Sequence, residues 1–240
     1  MKDLALFTWT HTEYEDVFPA YFGNVKKYFP QLENSYIAIN DMSDVIPSEH
    51  TQLVNDENSD YAGRILGCLD CVEEEYIIYM QEDFILYDSI DYDELVRSFE
   101  YLKESDFSCV KLIRAGLDTL EFEEVKNIYR CFPHLSAVHQ PTIWKKSDLI
   151  HIIKSLNPAV LRNFEESANA SRIMLELGYK SCFYFDETSS RRGGHYDSKV
   201  FPYIATALLK AKWNVLEYPR EIEQLSIDYK INLEERGCLA

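Results

Sequence analysis

Tyr76-Ile77-Ile78-Tyr79-Met80-Gln81-Glu82-Asp83-Phe84-Ile85-Leu86 opens with five apolar residues, β-branched or aromatic, and reads as a strand buried on both faces. Two carboxylates follow at its C-terminal end before apolar residues resume. Burying Glu82 and Asp83 there is costly unless a cation or hydrogen-bond donors compensate them. Ligands of open α/β sheets bind beyond the carboxyl ends of the strands. An acidic pair in that place suits a divalent cation with phosphate oxygens, or direct hydrogen bonds to a sugar or ribose. The plainer alternative is a strand-to-turn junction with solvated acids.

Upstream, residues 4–10 read as a first buried strand. Val17, Phe18, Tyr21, Phe22, Val25 and Phe29 then recur at helical spacing over residues 13–29, and Pro30 closes that helix. Residues 36–39 form a second short strand ending in Asn40-Asp41. Residues 43–60 are polar and rich in turn formers, a loop with one buried edge at Leu53 and Val54. Ser59 or Asp60 caps a helix running through Ile65, Leu66, Leu69 and Val72. Downstream, Asp91 caps a helix with Leu95, Phe99 and Leu102 on one face, and residues 107–113 return as a strand. The order β-α-β-α-β-α-β predicts an α/β fold: a mostly parallel central sheet with right-handed crossovers, flanked by helices.

Beyond Ala115 the pattern loosens. Residues 116–130 read as a loop or hairpin, residues 134–144 as a strand broken at Pro141, and Ser147 as the cap of a helix with Leu149, Ile152 and Ile153. Phe164-Glu165-Glu166 opens a further helix that Gly178 ends, and residues 182–185 are a last strand. Residues 189–198 carry Arg191, Arg192, Gly193, Gly194 and His195, a basic, glycine-hinged loop. From Glu217 onward the chain is polar and reads as peripheral. There is no internal repeat, low-complexity tract or linker, so a single domain over 1–240 is expected.

Hydrophobic residues make up 46% of the 240 and aromatics 14%, enough for a substantial core. Lys and Arg number 24 against 41 acids, a net charge of −17 that disfavours nucleic acid and anionic membranes as partners. A phosphorylated ligand would need local basic residues or a metal. The six cysteines form no regular framework, and Cys68-x-x-Cys71 lacks a second pair at zinc-ligand spacing. With no signal peptide read at the start, reduced thiols and a cytoplasmic location are expected. No apolar run approaches the ~20 residues of a membrane span.

The segment from Arg64-Ile65-Leu66-Gly67 through Tyr76-Ile77-Ile78-Tyr79-Met80-Gln81-Glu82-Asp83 resembles the helix and strand that precede the D-x-D motif of GT-A-fold glycosyltransferases. Phe164-Glu165-Glu166, with the helix to Gly178-Tyr179, resembles the acidic helix of inverting members. Gln140-Pro141-Thr142-Ile143-Trp144 looks like the acceptor-side strand of small polysaccharide-building transferases. The resemblance spans residues 3–215. It implies a Rossmann-like GT-A domain with a nucleotide-sugar-binding half over about 1–115, an acceptor and catalytic half over 116–215, and a peripheral tail over 216–240. Gln81-Glu82-Asp83 departs from D-x-D, since only Asp83 keeps the residue that usually meets the metal.

What the resemblance implies for the site is specific. Thr8, Trp9 and Asp41, at the ends of the first two strands, would meet the nucleotide, with a ring stacking on Trp9 or Tyr14. Arg64 would fork onto a phosphate or onto Asp83, and Gln81, Glu82 and Asp83 would border the donor. Asp83 and His195 would hold Mn²⁺ or Mg²⁺, a helpful rather than indispensable ion. Arg191 and Arg192 would take the diphosphate. Glu165, or its neighbour Glu166, would be the general base that removes the acceptor hydroxyl proton. The expected activity is transfer of a sugar from a nucleotide sugar to a saccharide acceptor, with inversion. A non-catalytic domain binding a nucleotide sugar or a protein, and a carboxylate–metal phosphotransferase or hydrolase, are the alternatives.

Overall fold

The computed structural model describes residues 1–132, 140–156 and 168–239. In chain order the strands of its main sheet are β1 (Leu4–Trp9), β2 (Ser35–Ile39), β3 (Thr51–Val54), β4 (Tyr76–Gln81), β5 (Cys109–Lys111), β6 (Glu123–Val125), β7 (Ile128–Arg130), β8 (Thr142–Lys145) and β9 (Ser181–Tyr184). Their spatial order is β3-β2-β1-β4-β8-β5-β9-β7-β6. β1, β2, β3 and β4 are mutually parallel, with Leu4 opposite Tyr76 and Trp9 opposite Gln81. β8 runs antiparallel to both its neighbours, β4 and β5, and β7 runs antiparallel to β9 and β6.

The period of two along each strand builds two cores. Leu4, Leu6, Ile78 and Met80 face one side of the sheet, and Phe7, Ile77 and Tyr79 the other. The first side is covered by α1 (Phe18–Tyr28), α3 (Tyr92–Glu104) and α6 (Pro219–Tyr229), which bury Phe18, Tyr21, Leu95, Phe99, Ile222 and Leu225. The second is covered by α2 (Tyr61–Leu69), α4 (Lys146–Ser155) and α5 (Ala168–Glu176), through Ile65, Leu69, Leu149, Ile152 and Met174. Each such side chain, fully buried, contributes about 1.5–3 kcal/mol. Local chemistry sets the helix starts. Asp60 Oδ1 accepts from the Gly63 N–H at 2.7 Å and Asp91 Oδ1 from the Glu94 N–H at 3.1 Å. The chain is thus a single α/β domain with a large, mostly parallel, Rossmann-like sheet between helical layers.

Several expectations are corrected. The polar segment 43–60 contains β3, an edge strand whose Thr51 and Val54 are exposed, which hides the alternation of a buried strand. The helix expected over 13–29 splits into a 3₁₀ turn (Thr12–Tyr14) and α1. Residues 116–130 do form a hairpin, β6–β7, but it joins the main sheet beside β9. Ser147 lies inside α4, whose N-cap is Lys145 without a side-chain cap bond. The region after Glu217 is not peripheral. α6 packs on α1, the Tyr229 hydroxyl donates to Asn24 Oδ1 at 2.6 Å, and a Cβ at Gly23 would collide with the Tyr229 ring. Among the described residues no helix is long and apolar enough to cross a membrane.

Candidate functional site

β1 has β2 on one side and β4 on the other, so the sheet's winding reverses between the carboxyl ends of β1 and β4. Doubly wound sheets bind ligands at such a switch point. A cavity of about 430 Å³ opens there, with Trp9, Thr10, Tyr14, Glu82 and Asp83 among its walls. The connection after β1 is pinned by Asn40. Its Oδ1 accepts from the Thr12 N–H at 2.8 Å, and its Nδ2 donates to Thr12 Oγ1 at 3.1 Å. His11 Nδ1 accepts from the Glu13 N–H at 3.2 Å, starting the 3₁₀ turn that brings Tyr14 to the cavity. Trp9 meets Tyr61 of α2 edge-on at 5.4 Å between ring centroids.

The acidic wall is clamped from outside. After β4 the chain turns, with the Phe84 N–H donating to Gln81 O at 3.1 Å. Residues 202–207 then run alongside it: the Ile204 N–H donates to Ile85 O at 2.9 Å and the Ala207 N–H to Asp83 O at 3.2 Å. Glu82 is 7% exposed. Burial pushes its carboxyl up to about 7, while its own backbone N–H, the Thr10 hydroxyl and the Arg236 guanidinium oppose that rise. A buried carboxylate so near neutrality favours a proton or a bound cation.

Two contributors come from far along the chain. Arg236, at the end of α7 (Leu233–Arg236), pairs with Asp16 through Nε and Nη2. It also donates to Glu13 O at 2.6 Å, and its guanidinium lies over the Tyr14 ring at 4.9 Å. Lys210 and Ala211, at the turn between β12 (Leu208–Leu209) and β13 (Lys212–Trp213), also line the cavity. Nothing local marks either contribution in the sequence: the turn lacks Asn or Gly, and Arg236 sits in an acidic tail.

Of the residues singled out from sequence, the structure gathers Trp9, Gln81, Glu82 and Asp83 at this cavity. Thr8 points inward, sharing a 2.6 Å hydrogen bond with the Tyr21 hydroxyl beneath α1. Asp41 is exposed beyond β2 and accepts from the Met42 N–H at 2.8 Å. Arg64 donates to Ser59 O at 3.1 Å and Glu57 O at 2.7 Å, holding the loop before α2. Arg191, Arg192 and His195 belong to a second small hairpin, β10 (Arg191–Arg192) and β11 (His195–Tyr196), outside the cavity's lining. Arg192 there binds Asp197 at 3.2 Å and Glu221 at 2.5 Å, and Arg191 Nε donates to Gly193 O at 3.4 Å. Burial pushes the His195 imidazole below its ordinary value, with Glu217, Lys111 and Asp118 as its charged neighbours. Glu165 and Glu166 lie outside the described residues.

No protein-family model matches this chain, and no curated protein does. Among solved structures it is similar to a cytidylyltransferase from Leptospira borgpetersenii serovar Hardjo-bovis, at 14% identity and TM-score 0.51, with 97% of each chain covered. It is also similar to 2-C-methyl-D-erythritol 4-phosphate cytidylyltransferase from Thermus thermophilus, at 11% identity and TM-score 0.47, covering 77% of this chain and 89% of that one. A third likeness is to the bifunctional IspDF from Campylobacter jejuni, at 12% identity and TM-score 0.44. It covers 77% of this chain, which spans 50% of that protein. The Leptospira likeness shows a shared fold. At 14% identity it upholds the expected α/β architecture and does not reach glycosyl transfer.

Proposed function

We propose that this chain is a transferase that takes a nucleotide sugar in the cavity at the ends of β1 and β4 and passes its sugar to a saccharide acceptor with inversion. The observation that carries the reading is the junction of an aromatic wall, Trp9 and Tyr14, with the acid pair Glu82–Asp83 at the sheet's switch point. The aromatic faces suit a base or sugar ring. The volume of about 430 Å³ is in the range of small-molecule sites.

The acid pair fits a divalent cation. Among the described residues no group of three or more His, Cys, Asp or Glu gathers to hold a metal alone. Mg²⁺ or Mn²⁺ held by Asp83 with help from Glu82 would therefore complete its shell with water and substrate phosphates, as Mg²⁺ commonly does. When bound, such an ion supplies charge neutralisation for a departing diphosphate. His195, at the other hairpin, is not needed for that role. Glu165, or Glu166 beside it, is the base in this reading, removing the acceptor's proton as its oxygen attacks.

A second reading, nucleotidyl transfer, is favoured by the fold shared with the Leptospira cytidylyltransferase across nearly the whole chain. Incubation with Mn²⁺ separates the two. Release of a nucleoside diphosphate from nucleotide sugars, with a glycosylated product, supports glycosyl transfer. Release of pyrophosphate from CTP and a sugar phosphate, with no turnover of nucleotide sugars, replaces it with nucleotidyl transfer.

A further inference from the structure

We propose that Lys210, at the tip of the β12–β13 hairpin, receives the phosphate groups of the ligand bound across from Glu82 and Asp83; this deepens the nucleotide reading above and rests on it. The hairpin's two turn residues both bear side chains and both adopt left-handed backbone, φ 53° at Lys210 and φ 60° at Ala211. Two-residue hairpin turns of this kind favour Asn and Gly, because other residues are strained there. The chain thus keeps an exposed lysine at a position that penalises it.

The hairpin is also fixed with respect to the acid pair. Leu208 pairs with Trp213, whose side chain is fully buried, and Trp213 is bracketed by bonds to the C-terminal segment: its N–H donates to Gly237 O at 3.0 Å and it accepts from the Leu239 N–H at 2.9 Å. At the hairpin's base, the Ala207 N–H bonds to Asp83 O. The tip is therefore held over the same cavity that Asp83 borders.

Charge then singles out this side chain. A diphosphate entering a chain of net charge −17, beside two carboxylates, needs a cation at its far side. Among the described residues Lys210 is the one lysine or arginine lining the cavity, and it makes no ion pair there. Arg236 is committed to Asp16, and Arg192 to Asp197 and Glu221. A lysine ammonium, a compact charge on a flexible stem, suits phosphate oxygens.

The test measures binding of UDP, CDP, GDP and inorganic pyrophosphate, with Mn²⁺, by calorimetry to the full chain and to two variants. Lys210→Met removes the charge. Lys210→Asn combined with Ala211→Gly removes it while supplying residues the turn prefers, so a folded variant is secured. Both are expected to bind the best nucleoside diphosphate roughly tenfold to a hundredfold more weakly than wild type, with affinity for the parent nucleoside unchanged. Lys210-dependent binding of pyrophosphate without nucleotide binding would uphold this assignment while overturning the nucleotide reading. Equal diphosphate affinity in wild type and both variants overturns the assignment and leaves the nucleotide reading standing; no binding of any probe overturns both.

Discussion

Asp118→Ala should be among the most damaging single substitutions outside the apolar core. Lys111, the last residue of β5, is 1% exposed at its side chain, and Asp118 is 0% exposed. Lys111 Nζ donates to Asp118 Oδ1 at 3.1 Å and Oδ2 at 3.0 Å, and Oδ2 also accepts from the Ala115 N–H at 2.9 Å. Removing the carboxylate takes its ion-pair partner from a buried ammonium and leaves the Ala115 N–H without its acceptor, away from water. Breaking a buried pair on one side costs about 3–5 kcal/mol, which for a domain of this size lowers Tm on the order of 10 °C. The assay is urea unfolding followed by tryptophan fluorescence, reading the midpoint at unchanged slope. Adding Lys111→Met to Asp118→Ala should recover most of the loss, because the buried charge is gone, and leave about 1–2 kcal/mol for the Ala115 N–H. A single-variant loss below about 1 kcal/mol, a surface-pair value, would refute the reasoning.

Two further outcomes are expected. Burial pushes the Glu82 carboxyl from 4.5 to about 7, so between those values the folded state holds a proton that the unfolded chain releases, and stability falls as pH rises through that window. At roughly 1.4 kcal/mol per pH unit the whole loss is on the order of 3 kcal/mol. In EDTA, Glu82→Gln should therefore melt with wild type near pH 4.5 and several degrees above it near pH 8; coincident melting at both pH values would exclude the effect. For the base, Glu165→Gln should lower kcat by about 10²–10⁴ with donor affinity little changed, and Glu166→Gln far less; the reverse pattern moves the role one residue on.

Much of the framework was legible because it rests on local periodicity. The alternation of Ile77, Ile78, Tyr79 and Met80, the caps at Asp60 and Asp91, and the acids closing β4 are all written within a few residues of one another. Parity bore on Thr8 as well, which the sequence reading set at the nucleotide: it shares a face with Leu4 and Leu6, and so turns toward Tyr21, outside the cavity's lining. The rest depends on contacts distant in sequence. Insertion of β8 between β4 and β5 is a long-range choice with no local signature. Arg236 finds Asp16 220 residues away. Lys210 reaches the site through a turn whose residues argue against a turn. The Ser189–Ser198 loop was attractive for its charge, yet Arg192 spends that charge on Asp197 and Glu221.

The central claim is that the cavity beyond β1 and β4 binds a nucleotide beside Asp83. Calorimetric titration of nucleoside diphosphates, with Mn²⁺ present, into wild type and Asp83→Asn tests it most directly. Saturable binding to wild type, weakened roughly tenfold or more in the folded variant, is the expected result. Binding of equal strength to both proteins, or to neither, would contradict it.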